Sequence, residues 1–257
     1  MFFQIIETSS AGNCAFLRHN GLNMLIDAGV GIRKIEAYLK TQNLLPKDID
    51  AIFITHEHID HCRALKSFAK YQTRVFANRL TSESVCYAEK DTKKLKWNIF
   101  ENGTEFDFKG ITITPFSTPH DSSDSVGYSF NMKGTRLVWM TDLGKLTFSA
   151  IDHAKLAKVL VLESNYCPSM LENSSRPYSL KSRIKGSHGH LSNFDAMSLL
   201  QKLNCECVEK VFLAHISREC NSIERIKELL QDTGEISQRV EIVSPFSEAS
   251  CPFKLPL

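Results

Sequence analysis

An α/β fold with mixed sheets is what this sequence predicts. Short apolar runs with strand character alternate with segments of helical periodicity along the 257 residues. No internal repeat, low-complexity tract or linker interrupts the alternation. Polar side chains suited to bind ligands follow apolar strands directly, at Asp27, His56, His120, Asp142, Glu163 and His215. Strand ends are where layered α/β folds build sites, because the sheet fixes the backbone while the loop carries the side chains.

The elements follow in order. The start, MFFQIIETSSAGN, reads as a first strand, with Gly12 and Asn13 as a tight turn of positive φ. Residues 23–29 (NMLIDAG) form a short apolar strand ending in a glycine turn. Residues 32–43 have helical spacing through Ile32, Ile35 and Leu39, and 48–55 (DIDAIFIT) are a buried strand. Residues 63–71 and 79–90 are helical. Strands follow at 111–118, 125–132 and 135–141. The Asn131–Gly134 turn joins the last two as a hairpin. A buried strand at 158–163 precedes a helix at 192–204, a strand at 210–215, a helix at 222–232 and a final strand at 240–244.

Composition narrows the class. The hydrophobic fraction is 42% and the charged fraction 23%, ordinary for a globular protein with a sizeable core. A net charge of +2 neither demands nor excludes a nucleic-acid partner, since the distribution of charge decides that. No apolar run reaches the roughly 18 residues a bilayer span needs, and nothing resembles a signal peptide. The eight cysteines sit in a chain too long for a disulfide-stapled scaffold, so a reduced, cytoplasmic protein is expected. The Cys205-x-Cys207 pair is too closely spaced for a usual zinc knuckle and reads as structural. His19 and His153 read as surface residues with no ligand role.

The strongest local signal is Thr55-His56-Glu57-His58-Ile59-Asp60-His61. Three imidazoles and two carboxylates within six residues suit zinc, manganese or iron. The spacing is not the i, i+4 pair of a helical zinc site. A loop after a strand fits better, with His56 and His58 pointing one way and Asp60 and His61 reaching a neighbouring position. The alternative is a histidine-rich surface loop. It is disfavoured because three of nine histidines cluster behind an apolar strand.

These residues resemble the first metal motif of the metallo-beta-lactamase fold superfamily, and later motifs follow in order. His120 in STPHD, Asp142 in WMTDLG and His215 in LAHIS resemble the remaining ligands. Asp27 in LIDAG resembles the buried aspartate that orients a metal-bound imidazole. SSAGN, VGYSF, ESN, LKSRIKG and GHLSN narrow the resemblance to the YycJ subgroup, also called WalJ or VicX. Its members are bacterial, cytoplasmic 5′-to-3′ DNA exonucleases, and no long insertion of the beta-CASP kind is visible. One departure stands out: Glu219-Cys220-Asn221 occupies the place of a paired asparagine, which puts in doubt a contact from position 220.

The resemblance implies a four-layer αββα sandwich of two mixed sheets, as one domain over 1–257. It implies two divalent ions, zinc or manganese. His56, His58 and His120 would hold the first, Asp60, His61 and His215 the second, and Asp142 would bridge them. The expected reaction is hydrolysis of a phosphodiester by a metal-bridging hydroxide oriented by Asp60 and Asp142. His190 in GSHGHLSN is the candidate for phosphate contact or proton donation, with His188 the weaker one. Ser192 also reads as a helix N-cap with Asp195 as its capping partner, and a helix N-terminus itself attracts phosphate. Lys181, Arg183 and Lys185, at near-alternating rather than helical spacing, are candidates to bind the DNA backbone. Glu163 follows a strand but receives no fixed role. Two competing readings remain: an RNA-processing nuclease or small-molecule metallo-hydrolase of the same fold, and a non-catalytic, metal-stabilised regulatory protein. Membrane association is not expected, and protein partners cannot be read.

Overall fold

The strands and helices follow from the sequence in a simple order, seen in a computed structural model that describes residues 1–203, 206–246 and 249–255. The chain opens with β1 (Phe2–Ser9), β2 (Gly12–His19), β3 (Leu22–Ile26), α1 (Ile32–Thr41) and β4 (Ala51–Phe53). Next come α2 (Ile59–Cys62), α3 (Leu65–Phe68), β5 (Arg74–Asn78), α4 (Arg79–Ala88) and β6 (Lys96–Phe100). Then follow β7 (Phe106–Phe108), β8 (Ile111–Ser117), β9 (Val126–Met132), β10 (Thr135–Met140), α5 (Phe148–Lys155) and β11 (Val159–Glu163). The chain continues through α6 (Pro168–Glu172), α7 (Tyr178–Lys185), α8 (Asn193–Leu200), β12 (Lys210–Ala214), α9 (Ile223–Leu230) and β13 (Val240–Ile242) to β14 (Phe253–Lys254).

These elements divide into two compact units. The first comprises Met1–Glu101, Ser122–Asp124 and the segment 249–255; the second comprises Asn102–Asp121 and Ser125–Phe246. The first unit holds a seven-stranded sheet in the order β14-β1-β2-β3-β4-β5-β6. Its β14 to β3 side is antiparallel and its β3 to β6 side parallel. The second holds another, β13-β12-β11-β10-β9-β8-β7, parallel from β13 to β10 and antiparallel from β10 to β7.

Parallel strands covered on both faces read as unbroken apolar runs, and β11 (VLVLE) is buried at every position. Helix α1 turns Ile35 and Leu39 inward against Phe16, Leu25 and Phe68. Each such side chain contributes about 1.5–3 kcal/mol by leaving water. Helix α9 does the same with Ile226 and Leu230 in the second core, beside Leu160, Leu199 and Val211. Side-chain oxygens cap four helices: Asn78 accepts from Thr81 N, Thr147 from Ala150 N, Ser192 from Asp195 N and Ser222 from Arg225 N. The reading of Ser192 as an N-cap holds.

Four expectations change. Gly12 and Asn13 lie inside β2 without positive φ, and the turn falls at Ser10 and Ala11. Gly12 is needed for close approach: a Cβ there would sit 2.9 Å from Val30 Cγ1. Residues 178–185 form helix α7, and the overlooked signal was apolar, not basic. Leu180 and Ile184, four apart, pack on Tyr166, Leu171 and Cys220. His19 is buried, not a surface residue. Strands β2, β5, β6, β7 and β14 and helices α2, α5 and α6 were missed as well. Cys205 lies outside the described residues, while Cys207 is exposed.

Candidate metal centre

In the first unit the histidine loop leaves β4 and is gripped from below by Asp27, the residue after β3. Asp27 is fully buried. Its Oδ1 accepts Thr55 N at 2.9 Å, and its Oδ2 accepts Thr55 Oγ1 at 3.0 Å and His61 Nδ1 at 2.8 Å. With its proton on Asp27, the Thr55 hydroxyl accepts from His56 Nδ1 at 3.0 Å. One carboxylate thus fixes the ring of His61 directly and that of His56 through a hydroxyl, leaving Nε2 of each as the basic atom. Burial raises the Asp27 carboxyl above its ordinary value, opposed by the charge and hydrogen bond of His61.

The other donors gather alongside. His56 Nε2 and His58 Nδ1 stand 3.0 Å apart, and the His56 and His61 ring centres 4.1 Å apart. Asp60 Oδ2 is 3.6 Å from His61 Nε2. A zinc–nitrogen bond is about 2.0–2.1 Å, so one ion reaches both His56 and His58. The loop sits hard against Gly29, where a Cβ would fall 1.5 Å from the Asp60 carbonyl oxygen.

The second unit builds a counterpart around Glu163, the last residue of β11, also fully buried. Its Oε1 accepts His190 Nδ1 and His215 Nδ1, both at 2.8 Å. Its Oε2 accepts the backbone N–H of Leu143 at 3.1 Å and of Leu191 at 3.0 Å. Burial pushes this carboxyl up, but His190, His215 and their hydrogen bonds hold it below the ordinary value. Potential ligand atoms of Asp142, Glu163, His190 and His215 all lie within 4.8 Å of one another. His120 joins them: its Nδ1 donates to Gly189 O at 3.0 Å and its Nε2 is 3.8 Å from Asp142 Oδ1. Burial lowers the His120 pKa, favouring the neutral ligand form.

Backbone strain marks the same places. Asp27, Asp142 and His215 have φ of 57°, 58° and 53°, a left-handed conformation uncommon for such residues. Each stands within two residues of the end of a parallel strand, where surrounding structure over-determines the geometry. Asparagines reinforce it. Asn165 Nδ2 donates to His215 O at 2.7 Å, and Asn193 and Asn221 pair amide to amide at 2.8 and 2.9 Å. Asn13 Nδ2 lies 3.0 Å from His61 Nε2. These asparagines and Glu163 are the residues that sequence reasoning left without a site role. The SSAGN, ESN and GHLSN motifs held the signal. Cys220, where the expected pattern is broken, is buried in an apolar cluster with Tyr166 and Ile184.

The expected substrate contacts are placed less decisively. On α7, Lys181 Nζ donates to Glu172 O at 2.5 Å and Lys185 pairs with Glu172 at 3.3 Å. Arg183 is paired with Asp121. His188 is exposed beside Ser187.

The donors are carboxylates and imidazoles, and Nδ1 of His56, His61, His120, His190 and His215 is already held by an oxygen acceptor, which is the chemistry of a divalent transition-metal site. Fold and donors together define an α/β protein built to bind divalent metal, most of its candidate ligands following strands. A family profile described as the beta-lactamase superfamily domain matches residues 22–216. The exodeoxyribonuclease WalJ of Streptococcus pneumoniae serotype 2 is 33% identical over 235 residues, covering 90% of this chain and 86% of the relative. The exodeoxyribonuclease YycJ of Bacillus anthracis is 28% identical over 239 residues, covering 91% and 90%. Among solved structures, Zn(2+)-bound PqqB from Methylobacterium extorquens superposes with a TM-score of 0.76 at 14% identity, covering 99% of this chain and 100% of that one. The chain belongs to the beta-lactamase superfamily, and within it to the group of the WalJ and YycJ exodeoxyribonucleases. Its fold is the metallo-beta-lactamase fold, and among the described residues no helix is long and apolar enough to cross a membrane.

Proposed function

We propose that this protein is a dimetal phosphodiesterase that removes nucleotides from DNA in the 5′-to-3′ direction. The observation that carries the reading is the pair of buried carboxylates, Asp27 and Glu163, each presenting imidazoles with Nδ1 occupied. The relatives named exodeoxyribonucleases supply the substrate. The ligand partition follows motif order: His56, His58 and His120 for one ion, Asp60, His61 and His215 for the other, Asp142 for both. Zinc and manganese both suit these donors. When bound, two such ions would supply hydroxide at neutral pH and offset the charge of a phosphodiester.

The chain's own residues do the rest. Asp60 and Asp142 would orient the nucleophile, as acceptors of its hydrogen bond. His190, its Nδ1 fixed on Glu163, presents Nε2 as the donor to the departing oxygen. Arg183 and Lys185 exchange Asp121 and Glu172 for backbone phosphates, and Lys181 and His188 meet phosphates beside them, which makes binding salt-dependent. We place the activity in the cytoplasm, in keeping with cysteines that carry no disulfide among the described residues.

The test is duplex DNA labelled at its 5′ or its 3′ end, with manganese and then with chelator. Early release of the 5′ label as mononucleotide, blocked by chelator and abolished by Asp142→Asn, is expected. Normal digestion by that variant would overturn the assignment.

A further inference from the structure

A cavity of about 410 Å³ opens in the first unit between the histidine loop and helix α4. Its size falls in the roughly 300–1,000 Å³ range of small-ligand sites. Ile59, Cys62, Val85 and Ala88 give it apolar walls. His58 and Glu57 form the wall toward the metal motif. The Glu57 carboxylate is pinned there, its Oε1 accepting Ser123 N at 2.7 Å and Ser123 Oγ at 2.8 Å. Arg63 and Lys66, both exposed, line the mouth with Glu89 and Thr92, and Lys66 Nζ donates to Glu89 Oε2 at 2.9 Å, which leaves Arg63 as the cation turned to a ligand.

Two features ask for an occupant. Ile59 is 66% exposed within the metal motif itself, between His58 and Asp60, where nothing in catalysis calls for an isoleucine. The cavity also shares His58 with the candidate ligand set, so a group bound in it lies next to the reacting phosphate. A flat, mostly apolar body carrying an anion on one side fits apolar walls with the Arg63 cation at their rim. That is a nucleobase with its sugar and phosphate.

We propose that this cavity holds the base of the terminal nucleotide, packed on Ile59 with Arg63 toward its phosphate. The proposal rests on the nuclease reading above. Burial of a base face against aliphatic side chains is non-directional, so it accepts any base, and that tolerance suits an enzyme degrading DNA of arbitrary sequence. The pocket therefore reads the presence of a base and not its identity.

The test has two arms. In the first, deoxyguanosine monophosphate and deoxyribose 5-phosphate are titrated against the protein and followed by calorimetry. The expected result is tighter binding of the nucleotide by on the order of tenfold, from apolar area buried. Ala88→Trp, which fills the cavity from its rim, erases the difference, while Tyr87→Trp on the exposed neighbour leaves it. Equal affinity for both ligands, or an unchanged difference in Ala88→Trp with its thermal unfolding intact, overturns the proposal. In the second arm, DNA with a normal or an abasic 5′ terminus is digested with manganese. Slower release of the abasic residue, through KM with kcat retained, is expected, and equal rates would sink the idea. If the wild-type protein digests no DNA at all, the nuclease reading fails, and the titration still decides whether the cavity takes a base.

Discussion

Asp27 and Glu163 perform the same task in the two units by opposite electrostatic means. Both are fully buried, both stand at the end of a parallel strand, and both hold histidine Nδ1 atoms at 2.8 Å. Asp27 answers to one imidazole, a hydroxyl and one backbone N–H, and burial wins, so its carboxyl is raised. Glu163 answers to two imidazoles and two backbone N–H groups, and the partners win over burial. A buried carboxylate is thus stabilising or merely tolerated according to how many donors surround it. The second unit's anchor is a structural keystone as well as a ligand holder, and the first unit's is mainly a ligand holder.

Glu163→Ala is the sharpest way to break that comparison. It strips two histidines and two N–H groups of their acceptor at once. Removing one member of such a buried arrangement costs about 3–5 kcal/mol. For a chain of this size, that is a fall of roughly 10 °C in the melting temperature of the metal-free protein. A melting temperature within a degree or two of wild type would remove Glu163 from the keystone role.

Gly29→Ala comes next. A methyl group there meets the Asp60 carbonyl at 1.5 Å, so backbone must move, at a cost of ~3 kcal/mol. The movement displaces Asp60 and His61, so metal affinity by titration with manganese is expected to fall along with stability. Loss of stability with metal affinity retained would show that the loop relaxes elsewhere.

Asp27→Asn probes the other side of the contrast. The amide avoids the cost of a buried charge while losing an acceptor for His61, so metal-free stability is expected to change little. Metal affinity is expected to drop by on the order of 10–100-fold, as with other residues that orient a ligand from behind. If Asp27→Asn destabilises the metal-free protein as much as Glu163→Ala does, the two carboxylates are equivalent and the distinction collapses.

The same contrast explains what was readable in advance. The histidine loop, His120, Asp142 and His215 stand out because ligand residues after apolar strands leave a local trace. Asp27 stood out at a strand end but took its role only from resemblance, and Glu163 was noticed without a role, because its meaning lies in residues 20–52 positions away. Asn13 was read as a turn residue because its partner, His61, is 48 residues distant. The strands escaped where their alternation was weak: β6 (KWNIF) buries only Phe100 fully. Helix α7 escaped because its basic residues drew attention away from Leu180 and Ile184. In each case the decisive partner is remote in sequence or a small apolar set is masked by charge.

The smallest expected effect concerns a histidine with no carboxylate anchor, which serves as a control within the second unit. His153 on α5 stacks against Phe116, ring centres 4.5 Å apart at 21°. Burial, and then the charge of Arg136, lower its pKa below the ordinary 6.5. In the unfolded chain this imidazole takes up a proton as pH falls through about 6.5, while the folded form resists until its own lower value. The folded state therefore keeps its full stability above about 6.5 and loses some as pH falls from there toward the folded pKa. His153→Phe keeps the stack and removes the titration. Chemical denaturation of the metal-free protein at pH 7.5 and pH 5.5 measures it, with the variant expected to lose less stability than wild type between the two. The loss attributable to one proton cannot exceed about 1.4 kcal/mol per pH unit. An identical pH response in variant and wild type would mean that the ring at 153 reaches water freely and that burial without a carboxylate is not what sets its charge.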